Sequence, residues 1–419
     1  MVTVLIAGGG TGGHVFPMIA VGDALRATGE DVAVVYVGTA RGIEARVMGE
    51  RGDELELMNV LPLRGAGLRG LFRGAVRAAL SVPEARALVR RRRPDVVLSL
   101  GGYAAGPVAL AARTLGVPLT LLEPNSVLGL TNRLLSPLAS RAYTAFPEVE
   151  RVFKPSVVLR AGVPLRRAFE PSPSVPQPDR VVVLVLGGSL GAAALNEVVP
   201  RALAAMRRHW RGPSAAAPLE TRIEVLHQTG KEREAAVRTL YAELGVKAEV
   251  VPFIDDVAAV LAASDLVIAR AGACSVAELC AVGRASILIP FPFAADDHQL
   301  RNARSLERAG GCVAIAQAEA SVPRLAGEIA RLIADPNRRQ HMANAAAVLG
   351  RPDAATRVAQ DLLELAKRSS KSSGAKPPAK TAKADRPPTA GRAANAGDAA
   401  PSARATHVDA RSLSAKGSC

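Results

Sequence analysis

The chain has 419 residues, a hydrophobic fraction of 49% and a formal net charge of +15 at pH 7. This length exceeds what one hydrophobic core usually serves, so we expect two globular domains. Aromatic residues make up only 3% of the chain, and no basic stripe alternates with them, which argues against nucleic-acid binding.

The positive charge is unevenly distributed along the chain. From Lys367 onward there are 11 Lys or Arg against 3 Asp, so more than half of the net charge lies in the tail. The remaining excess would suit phosphate-bearing ligands or an anionic membrane surface. The 4 cysteines show no C-x-x-C spacing, which fits a reducing compartment. No secretory signal or membrane span is visible, and we expect a soluble or peripheral protein.

The first half of the chain alternates strand-like and helix-like segments. An apolar, β-prone run at residues 2–6 leads into the glycine turn Gly8-Gly-Gly-Thr-Gly-Gly13, and Met18, Val21 and Leu25 then share one helical face. We therefore predict a helix over residues 17–27, and a longer one over residues 73–92. Further strands are predicted at residues 32–37, 96–100, 119–122, 143–146 and 157–159. This alternation is typical of a parallel sheet wrapped by helices.

A Pro- and Ser-rich segment at residues 168–179 predicts a linker, after which the pattern restarts. An apolar strand at residues 181–186 leads into a second glycine turn at 187–192 and a helix at 193–208. Later strands are predicted at residues 223–226, 248–251, 266–269 and 287–290, and later helices at 322–334, 338–348 and 354–367. Residues 369–419 lack apolar periodicity, so we expect a disordered basic tail. The repeated opening of strand, glycine turn and helix predicts twin Rossmann-like domains.

The first glycine turn also satisfies the G-x-G-x-x-G pattern of dinucleotide-binding enzymes. That fingerprint requires an acid at the end of the second strand, where it binds the ribose hydroxyls. The second predicted strand ends in Tyr36-Val-Gly-Thr39 without an acid, and Glu30 and Asp31 precede it instead. The hypothesis of a nicotinamide or flavin oxidoreductase therefore lacks its supporting residue.

Four glycine-containing stretches carry a resemblance to a known family. They are Gly8-Gly-Gly-Thr-Gly-Gly-His-Val-Phe-Pro17, Gly101-Gly-Tyr-Ala-Ala-Gly-Pro107, Gly187-Gly-Ser-Leu-Gly-Ala192 and Ala271-Gly-Ala-Cys-Ser-Val-Ala-Glu278. Together they resemble the MurG family of UDP-N-acetylglucosamine transferases, within glycosyltransferase family 28, and smaller matches extend the resemblance over residues 2–365. The resemblance implies an α/β GT-B fold, in which two Rossmann-like domains with parallel sheets face each other across a cleft.

The resemblance also implies the reaction. GlcNAc would pass with inversion from UDP-GlcNAc to the 4-hydroxyl of MurNAc in lipid I, giving lipid II and UDP in peptidoglycan synthesis, without a cofactor. Residues 1–166 would form the acceptor and membrane domain, residues 167–349 the UDP-GlcNAc domain, and residues 350–368 a helix that returns to the first domain. Another GT-B transferase with a different lipid acceptor and a non-catalytic nucleotide-sugar binder stay open as alternatives.

The expected partners follow from those substrates. They are UDP-GlcNAc, lipid I and the cytoplasmic leaflet of the bacterial plasma membrane, where the protein would be peripheral, with proteins of cell-wall synthesis or division as a further expectation. Residues 61–77 mix apolar side chains with four arginines and no acid. This segment could rest on the anionic leaflet, or it could lead into an ordinary surface helix.

The second glycine turn can hold a phosphate through backbone N–H groups at a helix start, and the alternative is a tight strand–helix connection. By resemblance Ser189 contacts the diphosphate and Arg166 adds charge near it, although a lone arginine is also common as a solvated surface residue. The residues that the resemblance implies for UDP-GlcNAc binding are Thr11, Gly12, Gly13, Asn125, Arg166, Ser189, Ile254, Ala273, Cys274, Ser275, Val276, Ala277, Glu278 and Gln299. Those implied for the acceptor side are Gly102, Tyr103 and Glu123.

Glu278 has two interpretations. Ser275-Val-Ala-Glu278 has the spacing of a capping box, with Ser275 at the N-cap and Glu278 at N3. The resemblance implies instead that the Glu278 carboxylate accepts hydrogen bonds from both ribose hydroxyls. It also implies that the backbone at Ile254 meets the uracil edge and that Gln299 binds GlcNAc hydroxyls.

His14, at the end of the first glycine turn, is the candidate general base. Imidazole suits proton removal near neutral pH, and the attacking acceptor hydroxyl must lose its proton. The alternatives are a histidine that only binds acceptor or diphosphate oxygens, or one that only packs. His227 and His298 also follow predicted strands and are second choices.

Two acidic pairs, Asp255-Asp256 and Asp296-Asp297, raise the alternative of a metal-dependent transferase. Such enzymes hold a divalent cation with D-x-D spacing, which neither pair has, and the twin-domain pattern also argues against them. We expect no metal, and we predict that Asp255 and Asp256 cap a helix that starts near Val257.

Three motifs depart from the family pattern by losing polar side chains, at Leu122, Pro124, Val163 and Leu190. The chain has Leu122-Glu-Pro-Asn125 where the family usually has His-Glu-Gln-Asn, and Gly162-Val-Pro-Leu-Arg166 where it usually has Gly-Asn-Pro-Val-Arg. Leu190 replaces a glutamine in the second glycine turn. Donor binding is therefore the firmer expectation and acceptor binding the weaker one.

Overall fold

The computed structural model describes residues 1–10, 12–40, 42–60, 80–173, 177, 180–188, 191–209 and 223–372. The predicted membrane segment at residues 61–77 lies outside the described residues, as do Thr11, Ser189, Leu190 and residues 373–419 of the predicted tail. Within the described ranges, the search for a helix long and apolar enough to cross a bilayer finds none.

The first half of the chain builds a seven-stranded parallel sheet with strand order β3-β2-β1-β4-β5-β6-β7. Its strands are β1 (Val2–Ala7), β2 (Val32–Gly38), β3 (Leu55–Leu57), β4 (Val96–Ser99), β5 (Leu119–Glu123), β6 (Arg141–Thr144) and β7 (Val158–Arg160). Its helices are α1 (Gly12–Arg26), α2 (Ile43–Arg51), α3 (Val82–Arg92), α4 (Ala105–Thr114) and α5 (Leu130–Leu135), with 3₁₀ turns at Ser136–Leu138, Pro147–Val152 and Pro155–Val157. The central strand β1 is apolar on both faces because helices cover both sides of the sheet.

The second half builds a six-stranded parallel sheet with strand order β10-β9-β8-β11-β12-β13. Its strands are β8 (Val181–Leu186), β9 (Ile223–Gln228), β10 (Glu249–Val251), β11 (Leu266–Ala269), β12 (Ser286–Leu288) and β13 (Val313–Ala314). The helices are α6 (Ala193–His209), α7 (Glu234–Glu243), α8 (Val257–Ala262), α9 (Ala273–Val282), α10 (His298–Arg308), α11 (Val322–Ala334) and α12 (Pro336–Leu349), with 3₁₀ turns at Ala295–Asp297 and Gln317–Glu319.

The two sheets share one topology. In each, the first strand of the half lies at the centre, and the order reverses beside it, between β1 and β4 and between β8 and β11. A ligand crevice forms at the carboxyl ends of the strands at such a switch point. The predicted pair of Rossmann-like parallel sheets is therefore confirmed, and each glycine turn follows the central strand at its switch point.

Helix α1 differs from its predicted bounds. It begins at Gly12, five residues before the predicted start, and Pro17 lies inside it. Met18, Val21 and Leu25 are fully buried, as their spacing predicts. The earlier start was missed because glycines give no side-chain periodicity and Pro17 indicates a helix beginning.

The last described element is helix α13 (Ala354–Ser372). It packs against the first sheet, although it follows the second sheet in the sequence. Asp361 accepts hydrogen bonds from Arg141 on β6 (2.8 and 3.0 Å) and from the Tyr143 hydroxyl (2.8 Å). Burial and the neighbouring Asp361 raise the pKa of Tyr143. Val358 and Leu362 are buried in the same cluster as β1. The last helix therefore joins the two halves of the molecule.

Candidate active site

The first turns of α1 and α9 meet between the two halves of the molecule. The sulfur of Cys274, the second residue of α9, lies 3.9 Å from the carbonyl oxygen of Gly13, the second residue of α1. A helix N-terminus carries a partial positive charge and unpaired N–H groups. Two such termini side by side form an arrangement suited to a diphosphate.

The loop before α1 is shaped by glycines. Gly9 and Gly10 have φ angles of +140° and +92°, which side-chain-bearing residues rarely adopt. Gly102, in the turn after β4, packs so closely that an added Cβ would lie 2.9 Å from the Gly9 oxygen and 3.7 Å from Nδ1 of His14. The ring of Tyr103 lies 3.8 Å from the corresponding Cβ position of Gly10. The structure thus brings Gly102, Tyr103 and His14 together beside the first glycine turn.

His14 is half-buried in the first turn of α1, and its Nδ1 lies 3.1 Å from the carbonyl oxygen of Gly9. A carbonyl oxygen can only accept, so this bond assigns the proton to Nδ1. The lone pair of the neutral ring then resides on Nε2. An imidazole fixed in this tautomer can take a proton from a substrate hydroxyl.

His227 and His298, the two alternative candidates for the general base, differ in the hydrogen bonds that their ring nitrogens form. His227 is fully buried, with Nδ1 bonded to the Tyr241 hydroxyl (2.9 Å) and Nε2 bonded to Oδ1 of Asn196 (3.1 Å). Burial lowers the pKa of His227 to about 4. Both ring nitrogens are occupied, so His227 stabilises the second sheet. His298 holds its Nδ1 2.8 Å from the oxygen of Ala295 at the start of α10.

Glu278 lies in the second turn of α9, because the N-cap of this helix is Gly272 (φ −62°, ψ 149°). The interpretation of Ser275 as an N-cap is therefore wrong: the helix begins three residues earlier than a capping box at Ser275 requires. Burial raises the pKa of Glu278 to about 7, and the charge of Arg166 acts against this rise. Arg166 is exposed, and its guanidinium lies 5.5 Å from the Phe169 ring centre.

The other residues predicted to bind UDP-GlcNAc differ in their surroundings. Ala273, Val276 and Ala277 line an apolar cavity of about 450 Å³ between the two halves. The side chain of Ile254 is buried in the core of the second half, so only its backbone is suited to a ligand. Oε1 of Gln299 accepts a hydrogen bond from the backbone N–H of Phe291 (3.0 Å), which leaves its amide N–H groups for other partners.

Glu123 and Asn125 form part of a buried polar network. Glu123 is 3% exposed and accepts from the backbone N–H groups of Asn125 (3.2 Å) and Gly129 (2.9 Å) and from side-chain amides, including that of Asn132 (3.1 Å). Burial raises the pKa of Glu123. These hydrogen bonds use the carboxyl group of Glu123 to shape the loop after β5 and to support Asn125.

Asn302 is a site residue that the sequence motifs did not identify. Its side chain is fully buried on α10, and Oδ1 accepts from the N–H and hydroxyl of Ser126 in the first half (both 2.8 Å). Its amide donates to Asn125 (3.2 Å) and to the oxygen of Ala271 (3.3 Å), just before α9. The loop after β5 and the start of α9 are thereby joined through one side chain. Asn302 ends the stretch His298-Gln-Leu-Arg-Asn302, one of the smaller matches to the family within residues 2–365, and this match was the available signal.

Glu44, on α2, was also missed. Although β2 ends without an acid, Oε2 of Glu44 accepts from the backbone N–H of Gly10 (3.0 Å) in the first glycine turn. This N–H would face the pyrophosphate in a dinucleotide-binding fingerprint, and here a buried carboxyl group occupies it. The turn is therefore not shaped as that fingerprint requires.

Of the two acidic pairs, Asp255-Asp256 and Asp296-Asp297, one aspartate caps a helix as the sequence predicted. Asp256 caps α8, with its carboxylate accepting from the N–H of Ala259 (3.0 Å), so this prediction is confirmed. The matching prediction for Asp255 is not borne out by a capping bond among the described residues. Asp296 and Asp297 both have φ of +52° in the turn before α10. A search of the described ranges for three or more clustered His, Cys, Asp or Glu side chains finds no group.

Comparison with known proteins supplies independent evidence. Residues 4–144 match the glycosyltransferase family 28 N-terminal domain, and residues 182–358 match the family 28 C-terminal domain. The chain is 64% identical over 404 residues to a Sorangium cellulosum protein named UDP-N-acetylglucosamine–N-acetylmuramyl-(pentapeptide) pyrophosphoryl-undecaprenol N-acetylglucosamine transferase, covering 95% of each chain. A protein of the same name from Acidithiobacillus ferrooxidans is 45% identical over 87% of this chain and 98% of its own.

Solved structures give the same result. The crystal structure of Acinetobacter baumannii MurG superposes with a TM-score of 0.72 and 29% identity, covering 87% of this chain and all of that one. A UDP-GlcNAc 2-epimerase from Neisseria meningitidis, solved with UDP-GlcNAc bound, has a TM-score of 0.58 at 13% identity, over 87% of this chain and all of its own. The second likeness concerns the fold alone.

Proposed function

The chain belongs to glycosyltransferase family 28, and from that premise we propose that it transfers GlcNAc from UDP-GlcNAc to lipid I, the undecaprenyl-diphospho-MurNAc-pentapeptide, giving lipid II and UDP. The observation that carries this proposal is the 64% identity, over 95% of both chains, to a relative named for that reaction. The meeting of two helix N-termini beside a tautomer-fixed histidine supports it.

In the proposed mechanism, Nε2 of His14 removes the proton from the 4-hydroxyl of the MurNAc unit. The hydroxyl oxygen forms a bond to the anomeric carbon of GlcNAc while the bond from that carbon to the diphosphate oxygen breaks on the opposite face. The configuration inverts, the proton resides on His14, and UDP leaves with the electron pair. The N-termini of α1 and α9 stabilise the charge that develops on the diphosphate.

On the donor side, the second half of the molecule binds the nucleotide. The Glu278 carboxylate accepts from the ribose hydroxyls, the backbone at Ile254 contacts uracil, and Gln299 binds GlcNAc hydroxyls. The backbone groups of Ala273 and its neighbours at the start of α9 hold the diphosphate, together with Arg166. The further donor contacts that we propose are Thr11, Gly12, Gly13, Asn125, Ser189, Cys274, Ser275, Val276 and Ala277.

On the acceptor side, residues 1–166 bind lipid I near Gly102 and Tyr103, and residues 350–368 return the chain to this domain. A polyprenyl acceptor is confined to a bilayer, so we propose that the protein works as a peripheral protein at the cytoplasmic face of the plasma membrane. Residues 61–77 are proposed as the contact with anionic lipid. Residues 167–349 form the proposed donor domain.

The test is transfer of radiolabelled GlcNAc from UDP-GlcNAc to a lipid I analogue by the purified protein. Formation of labelled lipid II is expected, and a wild-type protein that binds UDP-GlcNAc but transfers nothing would overturn the proposal. Thermal unfolding with UDP and with NAD distinguishes the proposed transferase from a nicotinamide-dependent oxidoreductase. The expected result is a higher melting temperature with UDP and no change with NAD.

A further inference from the structure

One peptide group links His14 to a buried carboxyl group. The carbonyl of the Gly9–Gly10 peptide accepts from Nδ1–H of His14 (3.1 Å), and the N–H of the same peptide donates to Oε2 of Glu44 (3.0 Å). Glu44, the Gly9–Gly10 peptide and His14 therefore form a continuous hydrogen-bonded chain. This series of hydrogen bonds ends at the imidazole of His14, whose Nε2 holds the lone pair.

The fold provides a dedicated place for the Glu44 carboxyl group. Glu44 is the second residue of α2 and is fully buried. Its other oxygen, Oε1, accepts from the backbone N–H (2.9 Å) and the hydroxyl (3.0 Å) of Thr39. An added Cβ at Gly9, Gly38 or Gly42 would collide with the Glu44 side chain. Three glycines, in the first glycine turn, at the end of β2 and at the N-cap of α2, thus leave room for this one group.

In such a series of hydrogen bonds, the carboxylate changes the strength of the bond that the peptide makes to the imidazole. A peptide N–H that donates to a carboxylate becomes more polarised, and its carbonyl oxygen becomes a stronger acceptor. A stronger acceptor at Nδ1–H holds the ring in one tautomer and favours the protonated imidazole at Nε2. Carboxylates that orient a histidine through its second nitrogen act in this way at metal sites and in hydrolase triads.

We propose that Glu44 is a positioning residue that fixes the tautomer and raises the basicity of His14 through the Gly9–Gly10 peptide. Its effect on His14 is a property of the first glycine turn by itself. Its effect on turnover rests on the proposed function, in which His14 is the base.

Other titratable groups also face this region. Tyr103 lies over Gly10 from the segment before α4, Cys274 reaches Gly13 from α9, and Glu278 lies one turn further along α9. Arg166, in the segment between the two sheets, acts on Glu278 and Cys274 through its charge. A change made only at Glu44 leaves these groups in place, so the test compares variants of Glu44 with an unrelated buried acid.

The experiment is a nitrogen-15 NMR titration of histidine in the full chain, with the His14 signals identified by their loss in His14→Gln. In the wild type we expect the Nδ1–H tautomer at high pH. In Glu44→Gln, which keeps the size of the side chain but not its charge, the midpoint of the His14 titration should fall by roughly half a pH unit or more. The turnover number for lipid I should fall about tenfold, its acidic limb should move to lower pH, and the KM for UDP-GlcNAc should stay unchanged.

Asp53→Asn is the matched control, because Asp53 is a nearly buried carboxylate of the same domain that pairs with Arg26 (2.8 Å) and Arg51 (2.7 Å). It should lose stability without moving the His14 midpoint. An unchanged midpoint in Glu44→Gln would overturn the inference. So would an Nε2–H tautomer of His14 in the wild type, a result that does not depend on the folding of any Glu44 variant. A shifted midpoint with unchanged transfer would support the role of Glu44 and remove His14 as the base.

Discussion

The sulfur of Cys274 lies 3.9 Å from the carbonyl oxygen of Gly13, and this contact joins the first turns of α9 and α1. The oxygen is available because Pro17, four residues later in α1, has no N–H with which to form the helical hydrogen bond. A proline in the second turn of a helix is costly in isolation. Here it leaves an acceptor at the place where the two halves of the molecule meet.

Enlarging Cys274 should separate the two helix starts. We expect Cys274→Trp to reduce transfer about tenfold or more, since overpacking forces the surrounding backbone to move. Cys274→Ser should stay close to the wild type because it preserves size and a hydrogen-bond donor. The check is kcat/KM for UDP-GlcNAc in both variants. Equal values for the two variants would contradict a spacing role for this side chain.

Replacing His14 should remove turnover without removing donor binding. For His14→Ala we expect transfer to fall by about 10²- to 10⁴-fold, the usual contribution of a general base. The Kd for UDP-GlcNAc should stay near the wild-type value, because the proposed contacts with ribose, uracil and the GlcNAc hydroxyls, at Glu278, Ile254 and Gln299, all lie in the second half. Calorimetry and the radiolabel assay measure the two quantities. Retained transfer would exclude the base role.

Glu278 should give donor binding a pH dependence. Its pKa is raised from 4.5 to about 7, and only the ionised carboxylate accepts from two ribose hydroxyls. The affinity for UDP-GlcNAc should therefore increase as pH rises from 6 to 8, and Glu278→Gln should lose both affinity and this dependence. UDP-GlcNAc is the ligand of choice because its diphosphate carries no proton that titrates in this range, unlike the terminal phosphate of UDP. A flat wild-type profile would contradict the assignment.

The same shift predicts an effect of pH on stability. A carboxyl group with a folded-state pKa above its unfolded value stabilises the folded state at low pH, and this contribution is lost as pH rises through about 7. Relative to Glu278→Gln, the unliganded wild type should lose about 1–3 kcal/mol of unfolding free energy between pH 4.5 and 8. Urea unfolding across this range provides the measurement. A wild type that gains stability relative to the variant would contradict the predicted sign.

Truncating Asn302 should weaken the joint between the two halves. Asn302→Ala removes the acceptor of the Ser126 N–H and hydroxyl, which are buried. We expect a loss of about 2–4 kcal/mol in unfolding free energy, because buried polar groups without partners are costly. Gln340→Ala is the control, since Gln340 is half-buried and its side-chain amide donates to Oδ1 of Asn344 on the same helix, away from the contact between the two halves. Similar losses for both variants would show that Asn302 carries no special role.

Local patterns predicted individual elements well. The strand at Val181–Leu186 and the helix at Val322–Ala334 have the predicted bounds, since both have uninterrupted apolar signals. The short strands β3 and β13 were missed because two or three residues carry too little periodicity. The capping box at Ser275 was wrong because its spacing is also met by residues inside a helix.

The sequence by itself determined the two repeated halves, their parallel sheets and the positions of the glycine turns, because these depend on residues a few places apart. It also pointed to His14 and Glu278 through resemblance. Only the tertiary structure decided which distant residues meet. Glu44 reaches Gly10 across 34 residues and Asn302 reaches Ser126 across 176. Such contacts follow from strand order and from the packing of one half on the other, and no local period in the chain encodes them.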